Sequence, residues 1–400
     1  MTANAGYHAY ATGDVLTAAQ VQYNLQNQTV MYFASSAART TALSGVLVEG
    51  MVSYIPANGV EYYNGSTWTA VGAQANTPSQ SNPVLNSAFQ VWQRGTSVAI
   101  GSSATNYTAD RWIANKSTGT GTVSRQATSD TTNLPNIQYC ARVQRTAADT
   151  TTTAILFINP FETINTIPFV GKTVTMSFYA RAGANFSAAT SLLSFSVSTG
   201  TGTDQNPFSY TGSTTPVAGS ATLTTTWQRF IATGTIATTA TELYVAASYV
   251  PVGTAGANDY FEITGVQLEV GSVATPFDTF STTLQGELAA CQRYFYATTG
   301  LSSNPISQAS YYSTTAAYCL LPLPVTMRTA PSATFQAATN YTIYANSTNK
   351  VGSAIALDSP VSTTIATVIL TTAAATAGFA GWLASASGSA NGYIQLSAEL

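Results

Sequence analysis

The sequence predicts a mainly β protein made of several modules, and three observations lead to this prediction. Between residues 85 and 280, apolar side chains alternate with Ser, Thr and Gln at period two, as in half-buried antiparallel strands. Asn-Gly pairs near the start of the chain are typical of tight hairpins. The 400 residues also exceed what one hydrophobic core usually holds. We therefore expect an N-terminal helix plus a small β-meander, a central jelly-roll-like β-sandwich, a short helix and a small C-terminal β module.

Residues 1–75 begin with a predicted helix. The run TAAQ at 17–20 has the spacing of a capping box, and Val21, Leu25 and Tyr32 follow it on one helical face. The opposite side is rich in Gln and Asn, so this helix is not expected to be stable alone. We expect Val21 and Leu25 to attach the helix to another surface.

A three-stranded meander is predicted after this helix. Its strands are expected at 51–55, 60–63 and 67–71. Asn-Gly pairs at 58–59 and 64–65 separate them and favour two-residue hairpin turns.

Residues 76–84 contain almost nothing to bury and are predicted to be a linker into the sandwich domain at 85–280. Three alternating runs in that domain are predicted to face its core: Ile137, Tyr139, Ala141, Val143; Val174, Met176, Phe178, Ala180; Leu193, Phe195, Val197. In the last strand, the apolar phase changes between Ile263 and Val266. Gly265 therefore indicates a β-bulge.

A connecting helix is predicted at 281–298, followed by a β module at 299–400. Thr282 and Thr283 favour a helix start. The helical stripe that follows is Leu284, Leu288, Cys291, Phe295. Strands of the terminal module are expected at 325–327, 341–345, 365–370 and 393–396.

The charge composition excludes several functions. Charged residues make up 7% of the chain, against about 25% in typical soluble domains. The net charge of −3 offers no basic surface for a nucleic-acid backbone. No apolar run is long enough for membrane insertion and the start of the chain lacks a signal peptide, so we expect a soluble protein made in a cytoplasm.

Few residues are available for covalent or metal chemistry. The single histidine, His8, lies in a polar segment and no nucleophile turn of the G-x-S-x-G type accompanies it. Cys140, Cys291 and Cys319 are too scattered for a zinc cluster and are predicted to be buried or half-buried thiols. Phosphate-binding glycine motifs are absent as well. We expect no cofactor, no metal and no catalytic residue of these types.

A carboxylate pair is the one enzymatic alternative that the sequence leaves open, because a glycosidase needs only two such groups about 5–10 Å apart. The candidates are Glu162, Asp259, Glu262, Glu269 and Asp278. Several lie on or beside predicted strands, where an outward polar side chain needs no catalytic explanation. A structural role is therefore preferred for each.

Aromatic residues are the better candidates for ligand contact, because sugar rings stack on aromatic faces while polar side chains bind their hydroxyls. Trp92, Trp112 and Trp227 lie in apolar strand patterns and are predicted to be core. The terminal module supplies the candidate contacts, which lie among Ser, Thr, Asn and Gly: Tyr311, Tyr312, Tyr341, Tyr344 and Trp382.

Several motifs resemble those of one protein family. Residues 86–96 read NSAFQVWQRGT and residues 107–112 read YTADRW, and in the same order follow GVQLEVGSVATPFD at 265–278 and ELAACQRY at 287–294. The runs PVTMRTAP at 324–331 and SAEL at 397–400 resemble the C-terminal module of this family. The runs GDVLTA at 13–18 and EGMVSY at 49–54 resemble its virion-proximal segment. The chain resembles bacteriophage tail fibre and receptor-binding proteins.

This resemblance implies a structural virion protein of the phage tail, made in the bacterial host cytoplasm, and a homotrimer. Residues 1–75 would attach it to other tail or virion proteins, and the distal β modules would contact host-surface polysaccharide. No segment has the periodicity of a β-helix depolymerase, so binding without cleavage is expected. A head or collar decoration fibre, a tail adaptor, and a polysaccharide depolymerase with a carboxylate pair remain the alternatives.

Overall fold

The computed structural model describes residues 15, 17, 30–56, 58–71, 82–101, 104–298, 302–346, 348–386 and 392–400. They fall into two compact units, one within Met1–Gln80 and the other within Ser81–Leu400. The expected attachment residues Val21 and Leu25 lie outside the described residues. Tyr32, which the sequence predicts on the same helix, lies on a β-strand, so the helix prediction is wrong at Tyr32.

The first unit contains a four-stranded sheet in the order β1-β2-β3-β4. Its elements are β1 (Val30–Tyr32), α1 (Ser36–Ala42), β2 (Val52–Ile55), β3 (Gly59–Tyr63) and β4 (Trp68–Ala70). The predicted meander is confirmed as β2–β4. The sequence did not predict β1, which pairs in parallel with β2, or the short helix α1, capped by the Ser35 hydroxyl. Arg39 of α1 is buried, forms an ion pair with Glu61 and stacks over the ring of Trp68 at 4.1 Å.

The second unit begins with a sandwich of two antiparallel six-stranded sheets. One has the order β13-β12-β15-β10-β7-β6 and the other β14-β11-β16-β9-β8-β5. The strands are β5 (Ser97–Ile100), β6 (Ala104–Tyr107), β7 (Ile113–Lys116), β8 (Gly121–Ala127), β9 (Tyr139–Arg145), β10 (Ile155–Pro160), β11 (Thr173–Ala182), β12 (Leu192–Gly200), β13 (Thr214–Thr222), β14 (Gln228–Thr235), β15 (Glu242–Tyr249) and β16 (Tyr260–Val270). A short helix, α2 (Thr163–Thr166), follows β10. The predicted mainly β, jelly-roll-like sandwich is confirmed.

Most of the alternating residues that the sequence predicts form the core between the two sheets. The prediction is wrong at Ile137, which packs in a separate smaller cluster, and at Tyr139, which is only half-buried beside the Arg125 guanidinium. Val174, Met176, Phe178 and Ala180 of β11 are at most 1% exposed. In β16, Ile263 before the phase change and Val266 after it both face this core. This is possible because the pairing register with β11 shifts between Ser177 and Tyr179. Gly265 lies at the shift with φ +58°, a left-handed conformation that costs glycine little. The predicted bulge is confirmed.

All three predicted core tryptophans are buried. Trp112 stacks on Phe157 with ring centroids 4.7 Å apart, in the main core with Trp92. Trp227 belongs to a smaller cluster, where its indole N–H donates to the Thr128 carbonyl at 3.2 Å. The three cysteines are buried free thiols, as predicted.

The linker is shorter than the sequence predicts. Asn82 donates to the carbonyl oxygens of Val266 and Asp278 at 2.7 and 3.0 Å. Val84 is fully buried in the main core. Residues 82–84 therefore belong to the sandwich, because Val266 of its last strand and Asp278 beyond it offer carbonyl acceptors and the core offers an apolar contact.

The connecting helix is present as α3 (Leu284–Gln292), capped by the Thr283 hydroxyl. Its predicted apolar stripe is partly wrong. Leu284 is 54% exposed, and Phe295 lies on a strand rather than on the helix. Instead, the helix buries Glu287, whose carboxylate accepts the backbone N–H groups of Asn86 and Ser281.

The terminal module is a closed six-stranded barrel with the order β18-β19-β23-β22-β21-β24, accompanied by a three-stranded sheet with the order β17-β25-β20. The strands are β17 (Phe295–Ala297), β18 (Pro305–Tyr311), β19 (Ala316–Pro322), β20 (Ser332–Phe335), β21 (Tyr341–Ala345), β22 (Thr348–Leu357), β23 (Ile365–Thr372), β24 (Ala380–Ser385) and β25 (Ile394–Ser397). The strand predicted at 325–327 is absent, and this irregular segment follows Pro324, which cannot donate a ladder hydrogen bond. Met327 is nevertheless buried in the barrel core.

The sandwich and the barrel are joined by a buried ion cluster. The carboxylate of Glu399 pairs with Arg111 and Arg94, whose side chains are 1% and 12% exposed. Arg111 also stacks on the ring of Tyr294 at 3.6 Å. Arg328 donates to the Glu399 carbonyl at 2.8 Å. These contacts hold the terminal segment of the barrel module against the sandwich.

Candidate functional site

The outer wall of the barrel presents aromatic side chains to solvent. Side chains alternate along a strand, and Leu383 of β24 and Ile343 of β21 fill the barrel interior. Their neighbours Trp382 and Tyr344 therefore lie on the outside. These two residues are directly opposite each other in the ladder, and their rings stack with centroids 5.9 Å apart.

A row of outward side chains continues from this pair across the next two strands. Trp382 is paired with Gln308 of β18, and Gln308 with Leu320 of β19. Trp382 is 47% exposed and Leu320 is 52% exposed. Since adjacent strands lie about 4.8 Å apart, the row from Tyr344 to Leu320 spans about 14 Å.

A second aromatic pair lies on the other side of β18. Tyr318 of β19 is stacked on Tyr312, with ring centroids 4.2 Å apart and planes 25° from parallel. Tyr318 is opposite Ser310 of β18 in the ladder. Tyr312, just after β18, is 51% exposed. The exposed side chains of Gln308 and Ser310 thus lie on the strand between two aromatic pairs.

We define the aromatic wall as Tyr344, Trp382, Gln308, Ser310, Tyr318 and Tyr312. Its aromatic faces offer stacking surface for flat apolar groups, and its amide and hydroxyl offer hydrogen bonds. The negative charge of the Asp358 carboxylate raises the pKa of Tyr318. Such a surface suits an uncharged ligand that combines apolar faces with hydroxyl groups.

The structure brings together three of the five aromatic residues that the sequence predicts as contacts. Tyr312, Tyr344 and Trp382 lie on the aromatic wall. The prediction that Tyr311 and Tyr341 are exposed contacts is wrong, since their side chains lie inside the barrel and are 2% and 0% exposed. The physical reason is the closure of the barrel, which leaves one face of every strand without solvent.

The two buried tyrosines instead make hydrogen bonds that stabilise the barrel. The Tyr341 hydroxyl donates to the Tyr393 carbonyl at 2.6 Å and accepts the Gln336 backbone N–H at 3.1 Å. Burial raises the pKa of Tyr341 to about 12. The Tyr311 hydroxyl lies 3.0 Å from that of Thr372.

Sequence reasoning missed Gln308, Ser310 and Tyr318. The available signal was the alternation in 308–311, where polar Gln308 and Ser310 are interleaved with Ala309 and Tyr311. That alternation indicates which face is outside. It does not indicate that β18 lies between β24 and β19.

The sandwich carries a groove of a different character. Ser194, Ser196, Ser220 and Ser248 line a shallow depression of about 370 Å³, together with Phe195, Ala218 and Gly219. Its outward side chains are small. The groove offers hydroxyl groups but no exposed aromatic face for stacking.

The candidate carboxylates of the enzymatic alternative are held in separate structural interactions. Glu162 pairs with Arg293, and the hydrogen bonds from Arg293 lower the pKa of this carboxyl even though burial opposes the shift. Asp259 forms an ion pair with Arg145 at 2.8 Å in which both side chains are fully buried.

The other three candidates are also engaged. Glu262 pairs with two arginines, and Glu269 accepts N–H groups from Gln267 and Thr275. The Asp278 carboxylate accepts the backbone N–H of Thr279 at 2.8 Å, and its backbone N–H donates to Gln267. Within the described residues, no group of three or more His, Cys, Asp or Glu is arranged to hold a metal, and no helix could span a membrane.

Comparison with known proteins finds similarity to solved structures of β architecture. No protein-family model and no curated protein matches this chain. A CBM4 carbohydrate-binding module is similar at 17% identity, covering 47% of this chain and 99% of that one, with a TM-score of 0.28. TmCBM61 in complex with β-1,4-galactotriose is similar at 11% identity over 48% of this chain and 99% of that one, with a TM-score of 0.28. A Stig cyclase from Fischerella sp. TAU is similar at 10% identity over 48% of this chain and 98% of that one, with a TM-score of 0.29.

Proposed function

We propose that this chain is a structural, non-enzymatic protein that binds a neutral glycan on the aromatic wall of its barrel. The observation that carries this proposal is the pair of stacked aromatic platforms on either side of Gln308 and Ser310. Exposed aromatic pairs of this kind are costly to leave in water and are commonly retained for binding. The apolar C–H face of a sugar ring can stack on Trp382 or Tyr312. The hydroxyl groups of the sugar can form hydrogen bonds with Gln308 and Ser310, which lie between these aromatic residues.

The biological setting that we propose is a bacteriophage tail fibre or receptor-binding protein, active as a homotrimer. This part rests on the sequence motifs that resemble that family. The low content of charged residues supports it, because contacts of a polar, uncharged surface depend little on salt. Three copies would present three aromatic walls, and linked weak sites can gain about 10²-fold or more in avidity.

Glycan binding is tested with purified protein on an array of neutral oligosaccharides, followed by calorimetry on the best ligand. The matched variants are Trp382→Ala, Tyr344→Ala and, as a control, Ile231→Ala. Ile231 is 51% exposed on the sandwich and has no place in the aromatic wall. We expect the first two variants to weaken binding and the control to leave it unchanged. Binding that all three variants retain in full would refute the site.

The biological setting needs a separate experiment. Electron microscopy of phage particles labelled with an antibody against residues 300–400 should mark the tail, with the label pointing outward. Label on the capsid would favour a head decoration fibre. Incubation with host polysaccharide should release no oligosaccharides, and turnover that is lost in Glu262→Gln would establish a depolymerase instead.

A further inference from the structure

We propose a second ligand site on the sandwich, a pair of arginines that binds the carboxylate groups of an acidic polysaccharide. The site lies on the outer face of the sheet that contains β9, β16 and β11. Arg142, Glu262 and Arg181 occupy directly paired positions on these three adjacent strands. This location is separate from the aromatic wall, and the inference does not depend on the proposed neutral-glycan site.

The central carboxylate is fully buried and both of its oxygens are used. Arg142 donates its Nε and Nη2 hydrogens to Oε1 of Glu262 at 2.9 and 2.6 Å. Arg181 donates its Nε hydrogen to Oε2 at 2.5 Å. One carboxylate cannot neutralise two guanidinium groups, so one positive charge is left uncompensated within this set.

Both arginines are held in place by an aromatic ring as well as by the Glu262 carboxylate. The Arg142 guanidinium lies over the ring of Tyr260 at 3.9 Å, and that of Arg181 lies near the ring of Trp227 at 4.8 Å. Each side chain remains 25% exposed. Fixing two guanidinium planes in advance lowers the entropy cost of binding an anion.

Unused donors remain on the exposed side. Among the described residues, no acceptor binds Nη1 of Arg142 or either terminal nitrogen of Arg181. A planar carboxylate is the group that matches a guanidinium fork in shape and charge. Asp130 also attracts Arg181, but its own oxygens accept N–H groups of Thr132 and Asn133. It therefore leaves the arginine donors available.

The surroundings favour a sugar acid over an acidic peptide. Ser124 on β8 is opposite Arg142, and Gln126 donates to the Ser124 hydroxyl at 3.0 Å. This hydroxyl and this amide can bind sugar hydroxyls, whereas they offer no apolar contact to a peptide side chain. A uronate residue, which carries a carboxylate on a hydroxylated ring, fits this combination.

The test uses tri-galacturonate as the ligand and neutral galactotriose as its matched control, measured by calorimetry on the full chain. We expect tri-galacturonate binding that weakens with added salt and falls about tenfold in Arg142→Gln and in Arg181→Gln, since each removes charged donors. Arg125→Gln is the control for charge, because Arg125 stacks on Tyr139 and has no contact with Glu262. It should bind as the wild type does.

Several results would overturn the proposal. These are no binding of tri-galacturonate by the wild type, a fall in galactotriose binding in Arg142→Gln as large as the fall in tri-galacturonate binding, or a loss in Arg125→Gln as large as in Arg142→Gln. Equal binding of a triglutamate peptide would overturn the assignment to a sugar acid. Arg142→Lys keeps the charge and removes the planar fork, so we expect it to bind weakly with an unchanged melting temperature, and full binding by this variant would contradict the fork geometry.

Discussion

Replacing Trp382 with alanine tests the aromatic wall most directly, and its effect can be estimated from the structure. Trp382 is 47% exposed. For an aromatic side chain of roughly 250 Å², this leaves about 120 Å² in contact with water. A flat sugar ring covers one side, about 60 Å², which at ~25 cal/mol/Å² is worth about 1.5 kcal/mol. We therefore expect the dissociation constant of a bound neutral oligosaccharide to rise about tenfold.

Stability measurements separate this effect from misfolding. Trp382 lies outside the barrel core, so Trp382→Ala should cost less than ~1 kcal/mol of folding free energy. Its neighbour Leu383 is fully buried, and Leu383→Ala should cost about 2–5 kcal/mol through the cavity that it leaves. The assay is calorimetric binding together with thermal unfolding on both variants. A large loss of melting temperature in Trp382→Ala, or unchanged affinity in a stable variant, would refute the reasoning.

Three further predictions concern the scaffold and the assembly. Glu399→Ala should destabilise the second unit by about 3–5 kcal/mol, because it leaves the buried guanidinium of Arg111 without its carboxylate, and chemical denaturation measures this loss. Although burial opposes the shift, hydrogen bonds from Lys116 and Thr151 hold the pKa of Asp149 well below its usual range. The ionised Asp149 carboxylate therefore stabilises the folded state above about pH 4, and this stabilisation is lost as the pH falls below that value. The free energy of unfolding of Asp149→Asn, measured by chemical denaturation, should depend less on pH in this acid range than that of the wild type. Light scattering of the purified chain should give the mass of a homotrimer, and a monomer at all concentrations would contradict the proposed assembly.

The strand pattern could be predicted from the sequence because it is local. Period-two alternation identified the inward faces of β11 and β12, and the phase change in β16 identified the bulge at Gly265. These features depend on the geometry of a single strand and on which side meets the core. The same local reasoning correctly placed the three cysteines and the three core tryptophans in the interior.

The candidate site could be predicted only in part, because exposure in a barrel depends on which face closes inward. Tyr311 and Tyr312 are adjacent in the chain, yet Tyr311 is 2% exposed and Tyr312 is 51% exposed. Both lie among small polar residues in the sequence, which predicts that both are exposed. Barrel closure assigned one to the interior and the other to the aromatic wall.

The sequence by itself therefore determined the β class, the order of the β regions and the lack of an overall basic charge, since these follow from composition and short-range periodicity. Tertiary structure alone decided which strands become neighbours. Gln308 and Trp382 are 74 residues apart in the chain and directly opposite in the ladder. Arg142 and Glu262 form an ion pair across 120 residues of sequence. Pairings over such distances are set by how the sheets close and pack, and no local pattern encodes them.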